Sequence, residues 1–269
     1  MEEFNDLVSH PEMEITIICL AALATSLLTF YCGFGLGTIL TPVLSIFFPI
    51  DLAIALTGVV HFLNNVFKLF LIGGTADRQV VLRFGIPAFL AALVGAYFLL
   101  RINNWEPLLQ YSLWDNEHFI TPVKLVIATL LIIFALMEVI PYLKNLQFGK
   151  DKLVIGGLLS GFFGGLSGTQ GALRSAFLIK SGLSKEAFIA TGVVVACIVD
   201  FSRLSVYITR FSTSGLHENL LLVTAATGSA LIGTFIGNSL LKKITLKTVQ
   251  ALVTMMLVVL AIALGSGII

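Results

Sequence analysis

Stretches 15–50, 52–67, 84–100, 153–173, 219–241 and 248–269 contain no charged side chain, and several match the roughly 20 residues a helix needs to cross a bilayer core. In lipid no water satisfies a free backbone N–H or C=O. Such a chain therefore folds as helices, and unwound backbone survives at depth only where protein buries it or it lines a cavity. That restriction makes two interruptions informative. Gly33-Phe34-Gly35-Leu36-Gly37-Thr38 and Gly164-Gly165-Leu166-Ser167-Gly168-Thr169-Gln170-Gly171 both break apolar runs, and each is followed by a short apolar stretch and then Thr-Gly-Val-Val. Paired breaks at matching positions point to a binding site at two broken helices.

With 57% hydrophobic and 12% charged residues and a mean hydropathy of +1.00, the chain reads as an all-α polytopic protein, multi-pass in the plasma (inner) membrane. The acidic start, with Glu2, Glu3, Asp6, Glu12 and Glu14, argues against a cleaved signal peptide, which needs positive charge there. A net charge of +1 offers no basic surface for nucleic acid. Cys19, Cys32 and Cys197 fall in apolar helices without a CxxC or Cys/His cluster, which reads as small core residues rather than disulfides or metal ligands. No cofactor is implied.

Laying 33–69 on 167–203 matches Gly37 with Gly171, Leu44 with Leu178, Ala53 with Ala187, Thr57-Gly58-Val59-Val60 with Thr191-Gly192-Val193-Val194, and Phe67 with Phe201. The uninterrupted four-residue block and the matched glycine favour duplication. The organisation expected is a first transmembrane repeat over 1–143, a cytoplasmic linker over 144–152 and a second repeat over 153–269. Each repeat holds five segments, at 15–32, 36–48, 52–72, 80–100 and 122–141, then 153–168, 171–181, 186–208, 218–241 and 248–266. That makes eight full spans and two short broken helices in two inverted repeats.

Loop charge supports that topology. If the short segments carry the chain across, Arg78, Arg83, Lys144, Lys150, Lys152, Lys180, Lys185, Lys242, Lys243 and Lys247 gather on the cytoplasmic side, with Arg101, Lys124, Arg210 and both termini outside. If they are re-entrant, no orientation puts both Lys144/Lys150/Lys152 and Lys242/Lys243/Lys247 inside. A helix of about 13 residues rises about 20 Å, short of the core, so the short segments are expected to start mid-membrane at the glycines. Between Arg101 and Thr121, Trp105, Tyr111 and Trp114 beside Glu106, Asp115 and Glu117 predict an interfacial loop or short helix.

Glycines ahead of a short helix leave N–H groups unpaired at its positive dipole end, which suits an anion. The candidate substrate-binding residues are Gly35, Gly37, Thr38 and Thr41 in the first half and Gly168, Thr169, Gln170, Gly171, Arg174 and Ser175 in the second, with Ser167 beside them. The competing reading is close helix packing at small residues. Charges inside the apolar runs are few: Lys68, Glu138, Arg174, Asp200 and Arg203, with His61, Asn64 and Asn65 as polar companions. Each is costly in lipid unless paired or facing a cavity. Arg174 is placed to grip an oxyanion in bidentate fashion. Asp200 and Arg203, one turn apart, are candidates for an ion pair or for ion coupling, with Lys68 as an alternative partner of Asp200. Lys68 and Glu138 lie near predicted helix ends, where such side chains snorkel to the interface.

Gly165-Leu166-Ser167-Gly168 reads as the GxSG of rhomboid intramembrane proteases. Their serine needs a histidine base on a later helix, and the His after Ser167 is His217, in a polar loop.

The two-repeat arrangement, the GFGLGTILTPVL segment and GGLSGTQGALRSAFLIKSGLSKEAFIATGVVV resemble the TauE/SafE sulfite exporter family, also called the toluene sulfonate uptake permeases. Gly35, Gly37 and Pro42 match the family pattern in the first half, and Gly164, Gly168 and Gly171 in the second. Where the family usually carries three glycines and then a Pro, this chain has Thr169-Gln170-Gly171 and then Arg174-Ser175-Ala176. The resemblance implies transport of sulfite or an organosulfonate, often outward.

The reading is a secondary transporter, not an enzyme, moving a small anionic substrate through the lipid bilayer by alternating access around a midplane site. An anion channel is the alternative and the rhomboid-like protease a distant third. The coupling partner, a proton or other ion, and assembly into a homo-oligomer stay open in the sequence.

Overall fold

The computed structural model describes residues 11–29, 36–113, 116–144, 147–214, 219–240 and 246–269. In chain order these form α1 (Pro11–Thr29), α2 (Leu36–Ser45), α3 (Ile50–Ile72), α4 (Arg78–Asn103), β1 (Leu109–Leu113), β2 (Asn116–Ile120), α5 (Pro122–Val139), the single turn α6 (Pro141–Lys144), α7 (Leu153–Ser167), α8 (Gly171–Leu178), α9 (Lys185–Ser214), α10 (Leu220–Leu240) and α11 (Leu246–Gly265). Gly33, Gly35, Cys32, Trp114, Asp115, His217, Lys242 and Lys243, all named from the sequence, lie outside the described residues.

Local chemistry sets the boundaries. Asp77 caps α4 by accepting the Val80 N–H at 2.9 Å. Thr121 caps α5 by accepting the Lys124 N–H at 3.3 Å, with Pro122 at the first helical position, where its missing N–H costs nothing. Gly168 ends α7 in the left-handed region at φ 76°, a conformation that favours glycine. Inside α2, Pro42 cannot donate to the Thr38 carbonyl four residues back, so this ten-residue helix carries a freed carbonyl near its start.

Among the described residues, four helices are long and apolar enough to cross a membrane: Ile50–Thr75, Arg78–Asn103, Lys185–Ile208 and Leu220–Gly237. Leu36–Ser45, Pro122–Met137 and Thr254–Gly265 are shorter apolar helices. On α4 the exposed residues Leu82, Ile86, Leu90 and Val94 recur every fourth position, opposite the buried Phe84, Ala88, Ala92 and Ala96. An apolar stripe facing outward, with small residues facing inward, is the pattern of a helix solvated by lipid.

The closest helix contact is between α4 and α7. A Cβ built on Gly157, Gly161 or Gly165 would stand 2.2 Å from the carbonyl oxygen of Phe84, Ala88 or Ala92 respectively, and one on Gly95 would stand 2.1 Å from that of Phe162. Glycines at every fourth position thus let two backbones meet along three turns. A related contact joins α1 to α10, where a Cβ on Gly233 would stand 2.3 Å from the Leu23 carbonyl oxygen. The remaining principal partners are α5 with α11, α9 with α3 and α4, α3 with α10, and the short helices α2 with α1 and α3, and α8 with α7.

One element departs from expectation. The stretch read as an interfacial loop or short helix is an antiparallel hairpin pairing Leu109 with Ile120 and Tyr111 with His118. The alternation Leu109, Tyr111, Leu113 against Gln110 and Ser112 is the period of a strand. Tyr111 stacks on His118 and donates to the Ser266 carbonyl at 2.6 Å, so the hairpin packs on the turn that ends α11.

Gly161→Ala is expected to destabilise the protein by about 1–3 kcal/mol through forced separation of α4 and α7. Gly228→Ala, where a Cβ meets nothing within 4 Å, is expected to be neutral or to raise stability by up to about 1 kcal/mol. Thermal unfolding of both variants in one detergent separates the two outcomes.

Candidate functional site

The start of α2 and the turn between α7 and α8 meet. A Cβ on Gly37 would lie 3.0 Å from the Gly168 carbonyl oxygen, 3.9 Å from His61 Cδ2 and 4.0 Å from Thr57 Cγ2. On the other side of the same junction, a Cβ on Gly168 would lie 2.9 Å from Arg203 Nη1 and 3.7 Å from Thr41 Oγ1. The start of α2 and the end of α7, more than a hundred residues apart in sequence, thus form one locus ringed by α2, α3, α7 and α9.

Charge at this locus is organised around Asp200, which is fully buried on α9. Arg203, one turn on, donates from Nε to Asp200 Oδ1 at 3.0 Å and brings Nη2 to the same oxygen at 2.8 Å. His61 of α3 places Nδ1 2.6 Å from Oδ2. Asn65, a turn beyond His61, sits with Nδ2 3.4 Å from Oδ2 and 3.3 Å from His61 Nε2. The carboxylate therefore joins two helices and two cation-capable groups. Tyr207, also on α9, donates its hydroxyl proton to the Gly165 carbonyl and so ties this helix to the end of α7. Asn64 of α3 accepts from the Thr234 hydroxyl of α10 at 2.7 Å.

Several polar atoms here are buried with no hydrogen-bond partner among the described residues: Thr41 Oγ1, Thr57 Oγ1, Arg203 Nη1 and both amide atoms of Gln170. Orphaned polar atoms in an interior are costly, and their clustering marks a place where a ligand or water completes the bonding. The buried charged residues among those described are Lys68, Arg174 and Arg203 against Asp51 and Asp200.

The residues singled out from sequence divide between two neighbourhoods. Gly37, Thr41, Gly168, Asp200 and Arg203 share the junction. Thr169 meets the Ser167 hydroxyl, and Gln170 supplies the carbonyl that receives Ser160 Oγ at 3.2 Å and the Arg174 N–H at 3.0 Å. Gly171 opens α8. Arg174 is buried against α9, where a Cβ on Gly192 would stand 3.5 Å from its Nε, and it lies within coulombic range of Asp200 and Cys197. Ser175 is half-buried on α8 and Thr38 buried on α2. Lys68, read either as reaching for the interface or as a partner of Asp200, is buried on α3 within coulombic range of His61. The Glu138 side chain and Gly35 lie outside the described residues. Ser167, the serine of the protease-like motif, is fully buried and donates to the Phe163 carbonyl at 2.9 Å.

Sequence reading left Thr57, His61, Asn65 and Tyr207 out of the site. A signal was available: Thr57, His61, Asn65 and Lys68 fall on one face of α3, at intervals of four, four and three, in an otherwise apolar helix. Repeat symmetry misleads at Thr57, because its counterpart Thr191 accepts the Asp77 N–H at 2.9 Å at the entrance to α4.

Asp200→Asn leaves Arg203 without its counter-charge and is expected to cost about 3–5 kcal/mol. The double variant Asp200→Asn with Arg203→Met is expected to recover much of that loss, giving a non-additive cycle in detergent unfolding. Additive losses would mean that the pair contributes nothing as a pair.

The family described as Sulfite exporter TauE/SafE matches this chain over residues 18–264. No curated protein and no solved structure matches it.

Proposed function

The chain belongs to the sulfite exporter TauE/SafE family, a family of membrane transporters, and we propose that it is a secondary transporter moving sulfite or an organosulfonate by alternating access around the Gly37–Gly168 junction. The observation that carries this reading is the junction itself: backbone from the start of α2 and the end of α7, Arg203 Nη1 directed at Gly168, and hydroxyls of Thr41 and Thr57 with no hydrogen-bond partner among the described residues. An oxyanion accepts hydrogen bonds at every oxygen and is attracted by the guanidinium of Arg203. In this proposal the N–H groups of Gly37, Thr38, Gln170 and Gly171 bind sulfonate oxygens, and the Thr169 N–H stays on the Ser167 hydroxyl. Gly35, Thr41 and Ser175 complete the shell, and Arg174 and Arg203 supply charge.

The proposed architecture is two inverted repeats, 1–143 and 153–269, joined by a cytoplasmic linker at 144–152, with eight full spans and two short ones in the inner membrane. The pairing of helices supports it. Exchanging α1 to α5 with α7 to α11 in order turns the α4–α7 contact into α10–α1, α4–α9 into α10–α3 and α1–α2 into α7–α8, while α3–α9 and α5–α11 map onto themselves. Contacts that survive such an exchange are those expected of a two-fold repeat. Both termini then face outward. Single-cysteine labelling from outside modifies position 5 and spares position 148; labelling of 148 alone rules out ten segments.

The functional test is binding of sulfite, thiosulfate, sulfoacetate, taurine and sulfate to purified protein, followed by flux in proteoliposomes. Saturable uptake with counterflow is the expected result, whereas large conductance without counterflow establishes the channel alternative. In the same assays Gly37→Val is expected to insert but not transport, since its Cβ presses on the Gly168 carbonyl. Arg174→Lys is expected to bind on the order of tenfold more weakly, about 1.4 kcal/mol, because an ammonium cannot reproduce two parallel guanidinium bonds. Unchanged affinity in Arg174→Ala removes this residue from the site.

A further inference from the structure

Asp200 accepts from Arg203 on Oδ1 and faces His61 Nδ1 on Oδ2 at 2.6 Å. A carboxylate held this way only accepts, so Nδ1 carries the proton in the neutral ring and Nε2 keeps a bare lone pair. His61 has one open protonation position, and it sits at the junction: Cδ2, bonded to Nε2, is 3.9 Å from where a Cβ on Gly37 would stand. The facing groups are few. On α3 they are Asn65, with Nδ2 3.3 Å from Nε2, and Lys68, within coulombic range. On α9 they are Asp200 and Arg203, and on α2 the Gly37 backbone. From α8, Arg174 acts through Asp200. From α10, Thr234 bonds Asn64 rather than the histidine. Asn65 Nδ2 lies 3.1 Å from Nδ1 as well as 3.3 Å from Nε2, so it sits over the face of the ring and leaves the in-plane lone pair of Nε2 open.

We propose that His61 is a proton-binding site coupled to occupancy of the Gly37–Gly168 junction, so that a doubly charged oxyanion and a proton bind together. This rests on reading the junction as an anion site. Arg203 brings one cationic group to the junction. A second negative charge on the anion calls for a further positive charge there, and Nε2 is the open position beside Gly37. The proton comes from solvent onto the Nε2 lone pair and returns to solvent when the anion leaves; no bond in the anion changes. Linkage makes the effect reciprocal: the anion raises the proton affinity of His61 by the factor by which the proton raises affinity for the anion.

Sulfoacetate is the probe, because at about pH 7.5 its sulfonate and carboxylate are both ionised and any proton taken up belongs to the protein. Calorimetry in two buffers of different ionisation enthalpy counts those protons. The wild type is expected to take up on the order of half a proton or more per anion, with affinity falling as pH rises from about 6 to 9. His61→Gln is expected to bind more weakly, without uptake and without that pH dependence. In the wild type, the imidazole 15N resonances of His61 read the same event with no substitution, as conversion of a bare Nε2 to a protonated one. Sulfoacetate binding without proton uptake, equal uptake in wild type and His61→Gln, an unchanged Nε2, or binding of monoanions alone would each overturn the coupling and leave the anion reading standing. A wild type that binds none of the five compounds overturns both.

Discussion

A carboxylate cannot sit alone in an interior of this kind, and the burial of Asp200 is the condition to which the centre of the molecule answers. Desolvating an ion costs several kcal/mol even after relaxation, and good geometry with further hydrogen bonds is needed to offset it. Here both oxygens are used, one by Arg203 and the other by His61. Because His61 is on α3 and Asp200 on α9, the contact sets how those two helices face each other. Each element around the junction then has a fixed place: α2 over His61 through Gly37, and the end of α7 over Arg203 through Gly168.

The glycine seam does complementary work at the periphery. Lipid provides no hydrophobic force between apolar helices, so close backbone approach and dispersion hold α4 to α7. Gly157, Gly161 and Gly165 make that approach possible, and the same helix carries the chain into Gly168. Rigid packing along α7 therefore presents the left-handed turn at a defined height. The Tyr207 hydroxyl on the Gly165 carbonyl adds a tie from α9 at the same level. Scaffold and site are continuous, since the last glycine of the seam is three residues from the glycine that faces Arg203.

Two glycine roles run together in the sequence. Read alone, the run from Gly156 to Gly171 does not say which members permit packing and which shape a cavity. The structure assigns Gly157, Gly161 and Gly165 to packing and Gly168 to the junction. Packing at small residues and a turn that gathers polar groups coexist along one segment: three glycines lie on a face of the helix and Gly168 in the left-handed turn that ends it.

The helical class and the rough placement of the helices were legible because they depend on local quantities, run length, missing charge and glycine punctuation, while ends such as Thr29 and Ser214 fell several residues from where charge placed them. The family was legible in the GFGLGTILTPVL and GGLSGTQGALRSAFLIK segments. The hairpin at Leu109–Ile120 was missed where a composition argument outweighed a period-two pattern. The cluster around Asp200 was only half legible. An i, i+3 pair with Arg203 follows from helix geometry alone, whereas its partner His61 is 139 positions away, and no local rule links them. The sequence by itself determined which segments leave water, since that follows from transfer free energy read along the chain, and that a helix ends near Gly168, since glycine favours the left-handed turn. Only the tertiary structure decided which charges meet and which glycine faces the guanidinium, because those depend on how helices distant in sequence are rotated against one another.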